Sequence, residues 1–217
     1  MFAYLDIETL PAAWSPDRIR EHAASAVPAN YTKPDTIAKW VDEHADEAWR
    51  RTALDSLHAR ILCIGVALED EPVEVAYNED GDDAGLYRML SWLDERLRMA
   101  ESDGSGVSLV GHNIAGFDLP MLLRSAWRLN HPVASQLPRR PRDPRIVDTG
   151  ELWRATDPAP GRVSLAKIAT FLGLGEKAEG LDGSKVYDAW RDGQHDRIRR
   201  YCAADVELVR EIHGRIW

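Results

Sequence analysis

The run Ile61-Leu62-Cys63-Ile64-Gly65-Val66-Ala67-Leu68 limits this chain more than any other feature. Eight residues without a polar side chain read as a buried central strand, so the fold must contain a sheet with that strand in its interior. Residues 2–8 read as a first strand, and residues 72–77 as the hairpin partner of the apolar run, joined through the acidic turn Glu69-Asp70-Glu71-Pro72. A helix is expected over residues 83–100, a short strand at 107–111, and a helix over 118–129 with Pro120 in its first turn, where proline is tolerated. The Pro- and Arg-rich segment His131–Arg145 reads as a surface loop, and residues 163–172 and about 194–216 are helical by period. Residues 10–59 have no strand pattern. Their first half is irregular and proline-containing, their second half is helical from about Pro34 to Leu57, and together they read as an insertion between the first two strands. Strands first, then strand and helix mixed, then helices, predict an α/β fold with a central sheet flanked by helices. The 217 residues suffice for one domain with a full core.

Composition narrows the class. Apolar and charged fractions of 44% and 29% are ordinary for a globular protein. No apolar run is long enough to cross a bilayer, so no membrane role is expected. Met1-Phe-Ala-Tyr-Leu-Asp6 has no basic stretch and no signal-peptide character, which leads to the expectation of a cytoplasmic protein. Cys63 and Cys202 lie far apart in sequence, each inside an apolar run, and read as buried free thiols. A net charge of −9 argues against coating long duplex DNA, which needs many Lys/Arg–phosphate contacts, but leaves room for a chain that contacts only a few nucleotides.

Three acidic constellations stand out. Asp6 and Glu8 are two apart on the first strand, so both point to one face while Leu5 and Ile7 point to the other. Adjacent acids need a cation, or one must stay protonated; an edge strand with a solvated face is the alternative. Asp118 lies in Gly111-His-Asn113-Ile-Ala-Gly-Phe117-Asp118-Leu-Pro120, where a strand ends and a helix begins. Taken singly it reads as a helix cap. Tyr201 and Asp205 are four apart on the last helix and therefore share a face. They border the apolar stripe Ile198, Cys202, Val206, Val209 and Ile212, and the alternative is an Asp paired with Arg200 or Arg210.

Taken together, Asp-x-Glu on a first strand, Asn-x4-Asp at a strand-to-helix junction and Tyr-x3-Asp on a C-terminal helix, in this order, resemble the three exonuclease motifs of the DEDD superfamily of proofreading-type 3′-5′ exonucleases. The tail, Leu181-Asp-Gly-Ser-Lys-Val186 with Gly193, Ile198 and Tyr201-Cys-Ala-Ala-Asp-Val206, is similar to a bacterial and phage family of predicted exonucleases related to the exonuclease domain of family B DNA polymerases. The histidine branch of the superfamily would place His at position 200, which is Arg, whereas the tyrosine branch places Tyr at 201, as here.

The resemblance implies a ribonuclease H-like fold and release of nucleoside 5′-monophosphates from DNA 3′ ends. It also implies two divalent cations, Mg²⁺ or Mn²⁺, which suit carboxylate ligands. Asp6 would bridge both ions, Glu8 and Asp205 would complete the site that activates water, and Asp118 would hold the second ion. Tyr201 would orient the water, since a phenol of pKa about 10 is a poor base at neutral pH. Asn113 and Phe117 would shape the pocket for the terminal nucleotides, and the main chain at Thr9-Leu10 would meet the terminal base or sugar. A single-stranded 3′ end is the expected substrate. No polymerase portion lies in these residues, so a replication or repair partner is expected as well. An exoribonuclease of the same superfamily and a non-catalytic nucleic-acid-binding domain of the same fold are the rival readings.

Other signals read as structural. Gly173-Leu-Gly175-Glu-Lys-Ala178 follows a helix, not a strand, so it reads as a helix C-cap and not a dinucleotide loop. Asn78–Asp83 reads as a solvated turn. Of the basic tracts, Arg139-Arg-Pro-Arg142 with Arg145 reads as surface, and Arg197–Arg200, beside Tyr201, as the one suited to a phosphate. Trp14, Tyr31, Trp40 and Trp49 sit among basic residues of the insertion, a composition able to stack on a single strand.

Overall fold

The structure, a computed structural model, describes residues 1–101, 106–156, 161–174 and 180–217. Five strands, β1 (Phe2–Leu10), β2 (Arg60–Leu68), β3 (Glu74–Tyr77), β4 (Ser108–Gly111) and β5 (Ile146–Asp148), form one sheet in the order β3-β2-β1-β4-β5. β1 pairs antiparallel with β2 and parallel with β4; β2 and β3 are antiparallel, and β4 and β5 parallel. The helices are α1 (Pro16–Ala24), α2 (Pro34–Arg50), α3 (Asp83–Glu101), α4 (Asp118–Arg128), α5 (Thr149–Arg154), α6 (Leu165–Leu172), α7 (Val186–Arg191) and α8 (His195–Ile216).

Strand alternation sorts the core. Ala3, Leu5 and Ile7 of β1 and Ile64, Val66 and Leu68 of β2 pack against Leu86, Met89, Leu90, Leu93 and Leu97 of α3 and against Leu119, Met121 and Leu122 of α4. The opposite face of β1 carries Tyr4, Asp6, Glu8 and Leu10. There Tyr4 packs with Leu165 and Ile168 of α6 and with Val206, Val209 and Ile212 of α8, and Leu10 with Val186 and Ala189 of α7 and Ile198 of α8. The apolar stripe expected on the last helix is therefore the seam by which α8 docks on the sheet. Its approach is close. A Cβ on Gly65 would lie 2.8 Å from Val206 Cγ2 and 2.9 Å from Cys202 Sγ, so only glycine lets the helix lie this near the strand. Gly65 is the register partner of Asp6, and the close crossing is thus opposite the first acid of the strand.

The structure corrects several expectations. β1 runs through Leu10, so the insertion starts one residue later, and its first half holds a helix. Ser15 caps α1, with Pro16 in the first turn, and its hydroxyl accepts from Arg18 N at 3.4 Å; the proline that suggested irregularity is a helix start. The segment from His131 to Arg145 is not all surface. It contains a 3₁₀ turn at Pro132–Ser135, and His131, Val133 and Leu137 are buried. Asn78, expected in a solvated turn, is buried and donates to Asp82 O at 2.8 Å. β5, α5 and α7 were not expected, since elements of three to six residues carry no readable period. Gly173 does cap α6 in the left-handed conformation, with φ 69°; Gly175–Ala178 lie outside the described residues.

In the insertion, Trp14 lies against His22 and His58 with Arg18 over its ring, Trp40 stacks on His44 at 4.3 Å, and Trp49 donates to Ala12 O while meeting Tyr187 edge-on. These rings are engaged within the chain.

Candidate active site

Asp6 and Glu8 project from β1 toward α8, which returns Asp205 to meet them. One oxygen from each of the three carboxylates lies within 4.8 Å of the others. Glu8 and Asp205 are buried and Asp6 is half-buried. Three carboxylates this close, mostly out of water, repel one another unless a cation or protons intervene. An all-oxygen donor set suits a hard divalent ion and not zinc, which favours N and S ligands. Arg210 binds Glu207 and the carbonyls of Glu69 and Glu71.

Tyr201, one turn before Asp205, is 4% exposed. Burial and the nearby carboxylates of Asp205, Glu8 and Asp6, with a hydrogen bond to Asp205, hold its phenol far above the usual tyrosine range. It therefore stays protonated and can position but not remove a proton. Cys202 lies beneath the site, with its thiol hydrogen-bonded to Cys63, which together with burial raises its pKa. The two cysteines, distant in sequence, are thus neighbours.

Asp118 stands apart from the group of three. It is the first helical residue of α4, with Phe117 at the cap position, so it is not the cap its position suggested. β4 ends at Gly111 while β1 continues to Leu10, which leaves the β1 edge without a ladder partner beyond Tyr4. Asp118 fills that gap: its Oδ1 accepts from Ile7 N at 3.1 Å, between Asp6 and Glu8 in sequence. Burial pushes its carboxyl up to about 8, against the hydrogen bonds from its own N–H and that of Ile7, while Asp148 raises it further.

The sign of the linkage follows. The folded chain holds a proton on Asp118 that the unfolded chain releases near the ordinary value of about 3.9. The contribution of Asp118 to the stability of the metal-free protein therefore falls as pH rises between about 4 and about 8. Asp118→Asn keeps an acceptor for Ile7 N and removes the titration, so in chelator it should melt at a less pH-dependent temperature across that window. Superimposable melting-temperature profiles for the two proteins would show that Asp118 does not hold this proton.

Asn113 sits in the left-handed region at φ 61°, and its neighbourhood is held by a residue the sequence reading missed. Asp148 Oδ1 accepts from Asn113 N at 2.9 Å, from Gly150 N at 3.0 Å and from Glu151 N at 3.3 Å, and Oδ2 from Ala115 N at 3.3 Å. It caps α5 and at the same time fixes the loop that leads to Asp118. The available signal was an Asp ahead of a short helix in Val147-Asp148-Thr149-Gly150; its reach to Asn113 is tertiary. Phe117 is half-buried against the α3–α4 core. Thr9 donates its hydroxyl to Ala53 O at 2.7 Å, and the Leu10 side chain is wholly buried.

Comparison with known proteins adds the following. No curated protein matches the chain. Among solved structures, the family B DNA polymerase from the hyperthermophilic archaeon Pyrobaculum calidifontis aligns with 99% of this chain at a TM-score of 0.62 and 21% identity. The aligned part is 24% of that polymerase, so the chain spans about a quarter of its length. The likeness identifies the sheet and its helices as a ribonuclease H-like fold. Asp6, Glu8 and Asp118 lie outside the segment matched in sequence, whereas Tyr201 and Asp205 lie within it. That segment, residues 148–208, matches the family described as predicted 3′-5′ exonucleases related to the exonuclease domain of PolB.

Proposed function

We propose that this chain is a 3′-5′ exonuclease of the tyrosine branch, acting on single-stranded DNA ends and releasing nucleoside 5′-monophosphates. The observation that carries the reading is the convergence of Asp6, Glu8 and Asp205 within 4.8 Å, with the Tyr201 hydroxyl hydrogen-bonded to Asp205 beside them. Asp6, Glu8 and Asp205 would hold a divalent ion, Mg²⁺ or Mn²⁺, and Asp118 would serve a second. Bound there, such ions acidify water and neutralise charge on the phosphoryl oxygens. The residues of the chain then orient. Tyr201 holds the attacking water through its hydroxyl, and the rigid Asp118–Ile7 contact fixes the strand that carries Asp6 and Glu8. Asn113 and Phe117 bound the space for the terminal nucleotide.

A preference for unpaired ends rests on two points. A net charge of −9 disfavours broad electrostatic binding to duplex, and a paired end must first be unpaired to enter such a pocket. The test compares 3′-labelled single-stranded DNA, 3′-mismatched duplex, matched duplex and RNA, with Mg²⁺, with Mn²⁺ and with chelator. Single-stranded DNA should be degraded fastest, the mismatched end next, and nothing should be released in chelator. Equal rates on the three DNA ends would defeat the preference, faster loss of RNA would favour the exoribonuclease, and no release anywhere would favour a binding domain.

A further inference from the structure

Two adjoining cavities, of about 300 and 600 Å³, run along the β4–β5 edge and share Asn113, Asp148, Glu151, Arg154 and Arg162 in their walls. Arg142 lines the larger one. The groove begins at the loop that leads to Asp118: the guanidinium of Arg162 lies 3.6 Å from where a Cβ on Gly116 would stand, two residues before that acid. Arg142 and Arg162 are exposed, and among the described residues neither enters an ion pair. Arg154 is paired with Glu151, and Arg142 and Arg162 together outweigh Asp148, so among the described residues the groove lining carries a net positive charge. In a chain of net charge −9, that is a local reversal beside the carboxylate site.

We propose that this groove holds the backbone phosphates of the nucleic-acid strand upstream of the bond to be cut, with Arg142 and Arg162 as the phosphate ligands. The inference rests on the nuclease reading for its direction, since the strand must leave the terminal-nucleotide pocket past Asn113. It assigns the role to the 139–142 tract and not to Arg197–Arg200, where Arg199 lies over the Tyr77 ring and pairs with Asp196 and Arg197 donates to Gln194.

The test uses the full chain and the double variant Arg142→Gln/Arg162→Gln, with Arg142→Lys/Arg162→Lys as the charge-retaining control. Thermal melting establishes that each is folded. A dinucleotide, whose single phosphate is the one cut, does not reach the groove, whereas a decanucleotide does. The Gln variant should raise KM for the decanucleotide about tenfold, the size expected for lost charge-assisted phosphate contacts, and raise it far less for the dinucleotide; the Lys variant should restore most of the loss. Binding of a 5′-fluorescent single-stranded decanucleotide in chelator, followed by anisotropy, should weaken with a salt slope reduced by about 0.7 per lost phosphate contact. Equal KM rises on both lengths, or unchanged decanucleotide binding and salt slope, would overturn the groove. If the wild type cuts nothing, the nuclease reading fails, and the anisotropy series still decides the groove.

Discussion

Asp6→Ala, Glu8→Ala and Asp205→Ala should each lower 3′-nucleotide release by about 10³-fold or more, at or beyond the loss seen when one preorganised stabilising group is removed from an active site. Each takes an oxygen from a cluster whose members lie within 4.8 Å of one another. On the proposed reading the three share one ion site, so the double variant Asp6→Ala/Asp205→Ala should be little worse than either single variant. Calorimetric titration with Mn²⁺ should show the same variants losing the metal-binding heat. A structural role would instead show as a lower melting temperature without loss of rate, and the metal-site reading has the opposite signature. Removing one of several crowded, buried carboxylates relieves repulsion, so the metal-free variants should melt no lower than wild type and gain in stability. Activity within a few-fold of wild type for any one of them would remove that residue from the site, and additive losses in the double variant would separate the residues into independent roles.

Tyr201→Phe should lower kcat by about 10²-fold with KM little changed, the scale of a group that positions a proton-bearing reactant. The ring is 4% exposed and packs with Leu62, Ile198 and Cys202, so phenylalanine keeps the packing and removes only the hydroxyl. That hydroxyl is kept protonated by burial and by the carboxylates of Asp205, Glu8 and Asp6. The pH–rate profile of the wild type should accordingly lack a limb assignable to tyrosine ionisation at neutral pH, and the Phe variant should share its shape at a lower level. A Phe variant with wild-type kcat would reduce Tyr201 to a core residue and leave the carboxylates untouched. A changed profile shape would instead make the phenol a proton carrier.

The parts legible in the sequence were those with a period. Two-residue alternation in 2–8 put Asp6 and Glu8 on one face and Leu5 and Ile7 on the other, and the sheet has them so, because a strand's pleat leaves no other choice. The 3.6-residue repeat in 195–216 placed Tyr201 and Asp205 together at the border of a stripe whose members are all fully buried. The uninterrupted run 61–68 marked a strand covered on both faces, which is β2, between β3 and β1.

What has no period was settled only by packing. β5 is three residues long, and it forms because β4 offers it an open edge. The Asp148 hydrogen bonds to Asn113 and Ala115 span more than thirty positions, and no local pattern encodes them. Asp118 looked like a helix cap and a member of the acid group. In the fold it is neither cap nor part of the cluster of three, because β1 outruns β4 and the vacant Ile7 N–H draws the carboxylate to the strand edge. The chemistry-bearing residue types and the faces they occupy were thus determined by the sequence itself. Tertiary structure decided which carboxylates come within 4.8 Å, since that distance depends on how closely α8 can cross β2 over Gly65, and a helix-to-sheet separation is set by side chains from two distant segments at once.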